Sequence, residues 1–163
     1  MPRKPKKQKF DFNALKTPLQ RVKVPPFTIQ NVVSTNSLGQ EKMDLREISM
    51  NHKLCEYNPQ TFAATTIRIL NPRSTALVFA SGNMVVTGCK STLESRLAAR
   101  KYTRIFQNLR MPVMFRNFKI QNIVASAAAG FPIKLKDIAD AYGPYVTFTP
   151  DLFPGLIFRS INP

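Results

Sequence analysis

Several residue types are scarce in this chain of 163 residues, and each scarcity excludes a class of protein. The chain has no tryptophan, two cysteines, one histidine and nine acidic residues. Cys55 and Cys89 fit neither a zinc-site spacing nor a disulfide framework, so we expect reduced cytosolic or nuclear thiols. No apolar run approaches the roughly 20 residues that cross a bilayer, and no apolar segment follows the basic N-terminus. These features argue against secreted and membrane proteins.

The residue patterns of catalysis are missing as well. No nucleophile stands beside a general base, no glycine-rich loop suits a phosphate, and no spacing suits a metal. His52, the single histidine, has no acidic or cysteine cluster near it in the sequence. We therefore expect a protein that is not an enzyme and that needs neither a cofactor nor a metal.

Positive charge is abundant. Lysine and arginine number 24, which gives a net charge of +15. Five of these basic residues lie in the first ten positions, so the remaining 19 against nine acidic residues still leave +10. Because the body of the chain is basic and not only its terminus, the natural partner is a polyanion.

A duplication runs through the sequence at an offset of 91 residues. Residues 27–34 (FTIQNVVS) recur as residues 118–125 (FKIQNIVA), and the same offset pairs Phe62 with Phe153 and Arg68 with Arg159. We divide the chain into a flexible basic arm (1–26), a first repeat (27–117) and a second repeat (118–163). The second repeat stops about 45 residues before it would match the first in full.

Each repeat is predicted to combine short strands with helices. The first repeat has strand-like segments at 28–35, 63–70, 75–80 and 84–88, and a short helix at 43–50. The longest predicted helix runs from Ser91 to Arg110, with Ser91 and Glu94 as a capping box and an apolar face at Leu93, Leu97, Ile105 and Leu109. We also expect a strand at 156–161 that lacks its neighbours and so exposes an unpaired edge.

Residue alternation assigns the two faces of the predicted sheet. Thr65, Ile67, Ile69, Val78, Met84 and Val86 fall on the face that can pack under helices. The opposite face is also largely apolar, and its strands contain no acidic residue, which favours a binding surface. A sheet covered on both faces by a partner or by the second repeat is an equally good interpretation. The residues of the opposite face are Phe62, Thr66, Arg68, Leu77, Phe79, Val85 and Thr87.

Seven motifs in order resemble the TATA-box-binding protein family over essentially the whole of Phe27 to Pro163. They are QNVVST (30–35), EYNP (56–59), TALVFASG (75–82), MVVTG (84–88), SRLAARKY (95–102), FKIQN (118–122) and LFPGLI (152–157). The resemblance implies an α+β fold of the TBP-like saddle type. Such a saddle has two pseudo-symmetric repeats, a curved antiparallel sheet beneath and helices on the convex side.

The resemblance also implies roles for particular residues. Asn31 and Asn122 would donate to minor-groove acceptors at the centre of an A·T-rich site, and Thr87 would offer a hydroxyl nearby. Phe62 and Phe79, with Phe153 from the second repeat, would enter base steps and kink the duplex. Apolar contacts would come from Val33, Leu77, Val85 and Val124, and phosphate contacts from Arg68, Lys90 and Arg159.

Protein partners are implied in the same way. Basic residues at four-residue spacing on the long helix would meet transcription factor IIA or negative cofactor 2, although a solvated helix face explains the spacing equally well. Asp151 and Leu152 lie in the loop that would meet transcription factor IIB, and TBP-associated factors are further expected partners. The basic helix residues are Arg96, Arg100, Lys101 and Arg104.

The resemblance thus implies a nuclear general transcription initiation factor that binds and bends TATA-box promoter DNA and nucleates pre-initiation complexes. One alternative is a TBP-like paralogue or fragment that acts mainly as a protein-docking or inhibitory module and binds DNA weakly. A third hypothesis, from charge alone, is a basic RNA-binding or ribosomal protein. That class would need exposed aromatic residues to stack single-stranded bases, whereas the aromatic residues here occupy wedge positions.

Overall fold

The computed structural model describes residues 25–159. Apart from Pro25 and Pro26, the predicted N-terminal arm lies outside the described residues. Contacts within the described chain separate a compact unit, Phe27–Ala127, from the residues that follow it. The repeat boundary at Phe118 was proposed from sequence similarity, whereas the division after Ala127 reflects contacts. The repeat boundary therefore remains a prediction. None of the described helices is long and apolar enough to span a membrane.

The unit Phe27–Ala127 is one antiparallel sheet with two helices. Its elements are β1 (Phe27–Ser37), α1 (Leu45–Asn51), β2 (Cys55–Glu56), β3 (Ala64–Leu70), β4 (Arg73–Phe79), β5 (Asn83–Cys89), α2 (Thr92–Asn108) and β6 (Arg116–Ala127). The strands follow the order β2-β3-β4-β5-β1-β6. The two long strands of the duplicated segments, β1 and β6, therefore lie side by side.

The core lies between one face of this sheet and the two helices. As alternation predicted, Ile67, Val78 and Val86 are fully buried on that face. From α2, Tyr102 and Phe106 fill the centre of the core, and the Tyr102 hydroxyl donates to the Ser74 carbonyl over 2.8 Å. This partner satisfies the one polar atom of the largest buried side chain.

The predicted apolar face of α2 is partly wrong. Leu93 is 80% exposed and Leu97 48% exposed, while Ile105 and Leu109 are partly buried against the core. Small side chains form much of the buried face, because they let the helix backbone approach the sheet closely. That face consists of Ser95, Ala98, Ala99, Tyr102, Thr103 and Phe106.

The ends of the elements follow the predicted local signals. The Ser91 side chain caps α2 by accepting from the Glu94 N–H over 3.1 Å, and the Glu94 carboxylate accepts from the Lys90 N–H over 3.1 Å. Gly82 turns the chain between β4 and β5 at a φ of +75°, and a Cβ there would lie 1.9 Å from the Gln40 carbonyl oxygen. Only glycine fits that position.

The described residues after Ala127 form α3 (Leu135–Tyr142), a 3₁₀ turn (Gly143–Tyr145), β7 (Val146–Thr147) and β8 (Ile157–Phe158). No side chain of α3 is buried. The strand expected at 156–161 is shorter than predicted and has one neighbour. Within the described residues it is limited to Ile157–Phe158, and one of its edges pairs with β7 because the loop between them folds back as a hairpin. Its other edge has no partner strand in this two-stranded sheet among the described residues.

Candidate nucleic-acid interface

The face of the six-stranded sheet opposite the helices is the open face predicted from alternation. Thr66, Leu77, Val85 and Thr35 are successive cross-strand neighbours on β3, β4, β5 and β1. All four side chains are half-buried in this row. The row is made of methyl groups and hydroxyls, so it offers an apolar surface with a few hydrogen-bonding atoms.

Equivalent residues of the two repeats meet at the junction of β1 and β6. Asn31 lies directly opposite Val124, and Val33 lies directly opposite Asn122. Directly opposed residues of an antiparallel pair point to the same face, so the two asparagines and two valines form one cluster. The structure thus brings together four of the predicted DNA-binding residues.

Two β-bulges frame this cluster and were not predicted. The register between β1 and β6 shifts at Gln30 and again at Gln121, which are equivalent residues at the offset of 91. Gln30 Nε2 donates to Ser126 Oγ over 2.8 Å, and Gln121 Nε2 donates to Thr35 Oγ1 over 2.8 Å. Both glutamines belong to the repeated motif. A bulge can be recognised only from the pairing of two strands, because it is defined by two residues opposing one.

The orientation of the Asn31 amide is determined by strand β5. The backbone N–H of Gly88 approaches Asn31 Oδ1 at 2.8 Å, and Thr87 Oγ1 donates to the same atom over 3.2 Å. A backbone N–H can only donate, so the atom that faces it is the amide oxygen. The Nδ2 donor therefore has no partner among the described residues and is available to a ligand at the open face.

The first predicted wedge pair is formed within the compact unit. The rings of Phe62 and Phe79 pack edge to face with centroids 6.3 Å apart. Phe62 is 49% exposed and follows a turn in which its N–H donates to the Asn58 carbonyl over 3.0 Å.

The second repeat builds the same turn. The N–H of Phe153 donates to the Thr149 carbonyl over 2.9 Å, at the same offset of 91 from the Phe62 turn. Phe153 is 56% exposed, and Asp151 and Leu152, the residues predicted to meet transcription factor IIB, are exposed in the same loop. The duplication therefore extends to backbone hydrogen bonds.

The predicted phosphate-binding arginines have different partners in the two repeats. Arg68 forms an ion pair with Glu56, with Nη1 and Oε2 2.7 Å apart. Arg159 Nη1 donates instead to Thr147 Oγ1 over 3.2 Å. Lys90 is exposed just after β5. Glu56 was not predicted as a site residue, because its contact with Arg68 depends on the pairing of β2 with β3.

The basic residues of α2 are only partly free for a partner. The Arg96 and Arg100 guanidinium carbons lie 5.9 Å from the ring centroid of Phe118 and 5.5 Å from that of Phe115, within the range of cation–π attraction. Lys101 Nζ donates to the Asn71 carbonyl over 2.7 Å, and Arg104 Nη1 donates to Gln107 Oε1 over 3.2 Å. The basic stripe therefore exists, and each member also has a contact within the chain.

The clearly shifted pKa values belong to core residues and not to the open face. Burial raises the pKa of the Cys55 thiol to about 11, and burial also raises the pKa of Cys89 and of Tyr102. Among the described residues, no group of three or more potential ligands could hold a metal ion.

Known proteins match 83% of this chain. The family model described as "Transcription factor TFIID (or TATA-binding protein, TBP)" matches residues 26–109 and 117–163. Over 136 residues the chain is 53% identical to the TATA-box-binding protein of Acanthamoeba castellanii, covering 83% of this chain and 52% of that protein. It is 48% identical over 136 residues to the TATA-box-binding protein of Saccharomyces cerevisiae, covering 83% and 56%.

Two further similarities extend this result. The chain is 54% identical over 135 residues to TATA box-binding protein-like 2 of Rattus norvegicus, covering 83% of this chain and 39% of that protein. The solved structure of Methanococcus jannaschii TBP matches with a TM-score of 0.72 and 34% identity, covering 83% of this chain and 77% of that one. The chain spans between 39% and 56% of the length of these three curated relatives.

The fold of the unit Phe27–Ala127 defines a class of protein in which two helices cover one face of an antiparallel sheet and leave the other face open. This chain belongs to the TATA-binding protein family. The predicted TBP-like α+β fold class is confirmed.

Proposed function

We propose that this chain is a general transcription initiation factor that binds the minor groove of TATA-box promoter DNA. It bends the duplex by phenylalanine insertion and nucleates the pre-initiation complex in the nucleus, without catalysis. The observation that carries the proposal is the cluster of Asn31, Val33, Asn122 and Val124 across β1 and β6. The names of the curated relatives support the TATA element as the target.

The chemistry of this cluster suits A·T base pairs. In the minor groove, A·T pairs present only acceptors, whereas G·C pairs add the guanine amino donor. The Nδ2 donor of Asn31 matches an acceptor, and valine side chains next to a guanine amino group would leave that group without a hydrogen bond. Leu77, Val85 and Thr87 would extend this surface along the groove.

Bending is assigned to the exposed Phe62 and Phe153 and to the half-buried Phe79. Phe62 and Phe79 are already packed together, so they can enter one base step as a unit, and Phe153 would act at a second step. Arg68, Lys90 and Arg159 would hold the phosphates of the bent duplex.

We assign two partner surfaces. The exposed cationic residues of α2, namely Arg96, Arg100, Lys101 and Arg104, would bind transcription factor IIA or negative cofactor 2. The turn that contains Asp151 and Leu152 would bind transcription factor IIB, and TBP-associated factors are further partners.

Bending by the wedge pair is tested with a duplex that carries fluorescent donor and acceptor groups at its two ends. We expect Phe62→Ala and Phe79→Ala to lower energy transfer in the saturated complex and to shorten its lifetime, because apolar insertion offsets the cost of unstacking. Phe27→Ala is the matched control, since Phe27 is 66% exposed and no wedge role is assigned to it. Equal transfer for all three variants and the unsubstituted chain would refute the wedge assignment.

A further inference from the structure

The two repeats differ in charge at one equivalent strand position, which lies in the six-stranded sheet for the first repeat and in the two-stranded sheet for the second. In the first repeat, Cys55 pairs with Ile67 and Glu56 with Thr66. In the second, Val146 pairs with Phe158 and Thr147 with Ile157. All four pairs correspond at the offset of 91 residues, so Thr147 stands where Glu56 stands.

Glu56 is the one carboxylate within the six strands that the structure describes in the compact unit. Its cross-strand neighbour Thr66 belongs to the open face, and its side chain reaches diagonally to Arg68, two residues further along β3. The ion pair is solvent-exposed, with side-chain exposures of 70% for Glu56 and 58% for Arg68. A polyanion can therefore reach both members.

We propose that Glu56 is a positioning residue that weakens the phosphate contact of Arg68, so that the two repeats hold the DNA backbone unequally. This inference rests on the proposed function. When a phosphate approaches Arg68, either the ion pair breaks or the carboxylate stays close to the phosphate and repels it. Both outcomes lower the net attraction. Arg159 loses only a hydrogen bond to a hydroxyl and keeps its full charge for a phosphate.

The test compares Glu56→Gln with Glu47→Gln in the full chain. Glu47 lies in α1, and its side chain makes no ion pair among the described residues, so its substitution removes the same charge without releasing an arginine. Binding is measured by fluorescence anisotropy between about 50 and 200 mM salt, with one A·T-rich and one G·C-rich duplex.

We expect Glu56→Gln to bind both duplexes about three- to fivefold more tightly at low salt, with log K against log salt steeper by about 0.9, as for one added phosphate contact. Glu47→Gln should change affinity less than twofold and leave the slope unchanged. In an Arg68→Ala background, Glu56→Gln should give no gain. Conversely, Thr147→Glu should weaken binding and make the slope shallower, because it installs the same ion pair on Arg159.

Two results would overturn the inference. One is an equal effect of Glu56→Gln and Glu47→Gln, and the other is a gain from Glu56→Gln that persists without Arg68. Circular dichroism of each variant confirms that it is folded. Failure of the proposed function has a different signature, since the unsubstituted chain would then bind the A·T-rich and G·C-rich duplexes equally.

Discussion

Asn31 illustrates how a single side chain acquires a direction. Its amide oxygen accepts from the Gly88 N–H and from the Thr87 hydroxyl, which turns the amide nitrogen toward the open face. Gly88 has a φ of +97°, in the left-handed region that favours glycine, at the irregularity between β5 and β1. The backbone of β5 thus determines which hydrogen-bonding group Asn31 presents to a ligand.

Replacing that donor tests the base preference. In Asn31→Asp, one carboxylate oxygen can still accept from Gly88 while the other replaces the donor. We expect the preference for A·T over a central G·C pair, on the order of 1–3 kcal/mol per pair, to be lost. The preference is measured as the ratio of the affinities for an A·T-rich duplex and for the same duplex with a central G·C pair, at one salt concentration.

The added negative charge is controlled with Asn51→Asp at the end of α1. That variant should weaken binding to both duplexes to a similar small extent and keep the base preference. If Asn31→Asp also retains the preference of the unsubstituted chain, Asn31 does not read the base pairs.

At the scale of elements, the short helices α1 and α3 of the two repeats differ in how their N-termini are capped. Helix α1 begins after Asp44, whose carboxylate accepts from the Arg46 and Glu47 N–H groups over 3.0 Å each. Helix α3 begins after Lys134, which makes no side-chain cap, and none of its side chains is buried. A lysine cannot accept a hydrogen bond, so the start of α3 has less local stabilisation.

The cap of α2 contributes measurably to stability. We expect Ser91→Ala to lower the free energy of unfolding by about 1 kcal/mol and Tm by about 2–4 °C, because the Glu94 N–H loses its acceptor. Thr92→Ala, an exposed change one residue later, should have a much smaller effect. Equal melting temperatures for the two variants, measured by circular dichroism, would contradict a stabilising role for the Ser91 hydroxyl.

At the scale of the whole molecule, the buried side chains of the described residues are concentrated in the unit Phe27–Ala127. Among the described residues, every buried side chain lies between Val32 and Val113, and none follows Ala127. The free energy of folding therefore comes mainly from packing α1 and α2 onto the sheet. Both cysteines and Tyr102 belong to this core.

The buried thiols make the free energy of unfolding depend on pH in the alkaline range. In the unfolded chain Cys55 loses its proton near pH 9.0, whereas in the folded chain its pKa is about 11. Between these values the unfolded state binds fewer protons than the folded state, so stability falls as pH rises. We expect the urea midpoint of unfolding to decrease from pH 9 to pH 11.

The comparison is made with the double variant Cys55→Ala, Cys89→Ala, which removes only the contribution of the two thiols to the pH dependence. Its midpoint should be lower at pH 7.5, because buried atoms are removed, but should change less with pH than that of the unsubstituted chain. A midpoint that falls equally steeply in both proteins would show that the thiols do not cause the dependence.

Features that depend on short stretches of sequence were predictable. The alternation of Thr65, Ile67 and Val78 identified the buried face, since successive side chains of a strand point to opposite sides. Ser91 and Glu94 marked the start of α2, because capping depends on atoms within one helical turn. The family motifs predicted the fold class and a set of candidate site residues that await direct test.

Only the tertiary structure decided the features that depend on how distant segments pair. The bulges at Gln30 and Gln121, the direction of the Asn31 amide and the ion pair of Arg68 with Glu56 all require the register between strands. Leu93 is exposed because the smaller residues of α2 pack on the sheet. The sequence by itself determined the repeats, which are matches between residues 91 positions apart. It also determined the face on which each strand residue lies, since side chains alternate along a strand. Contacts between strands far apart in the chain decided what the open face presents.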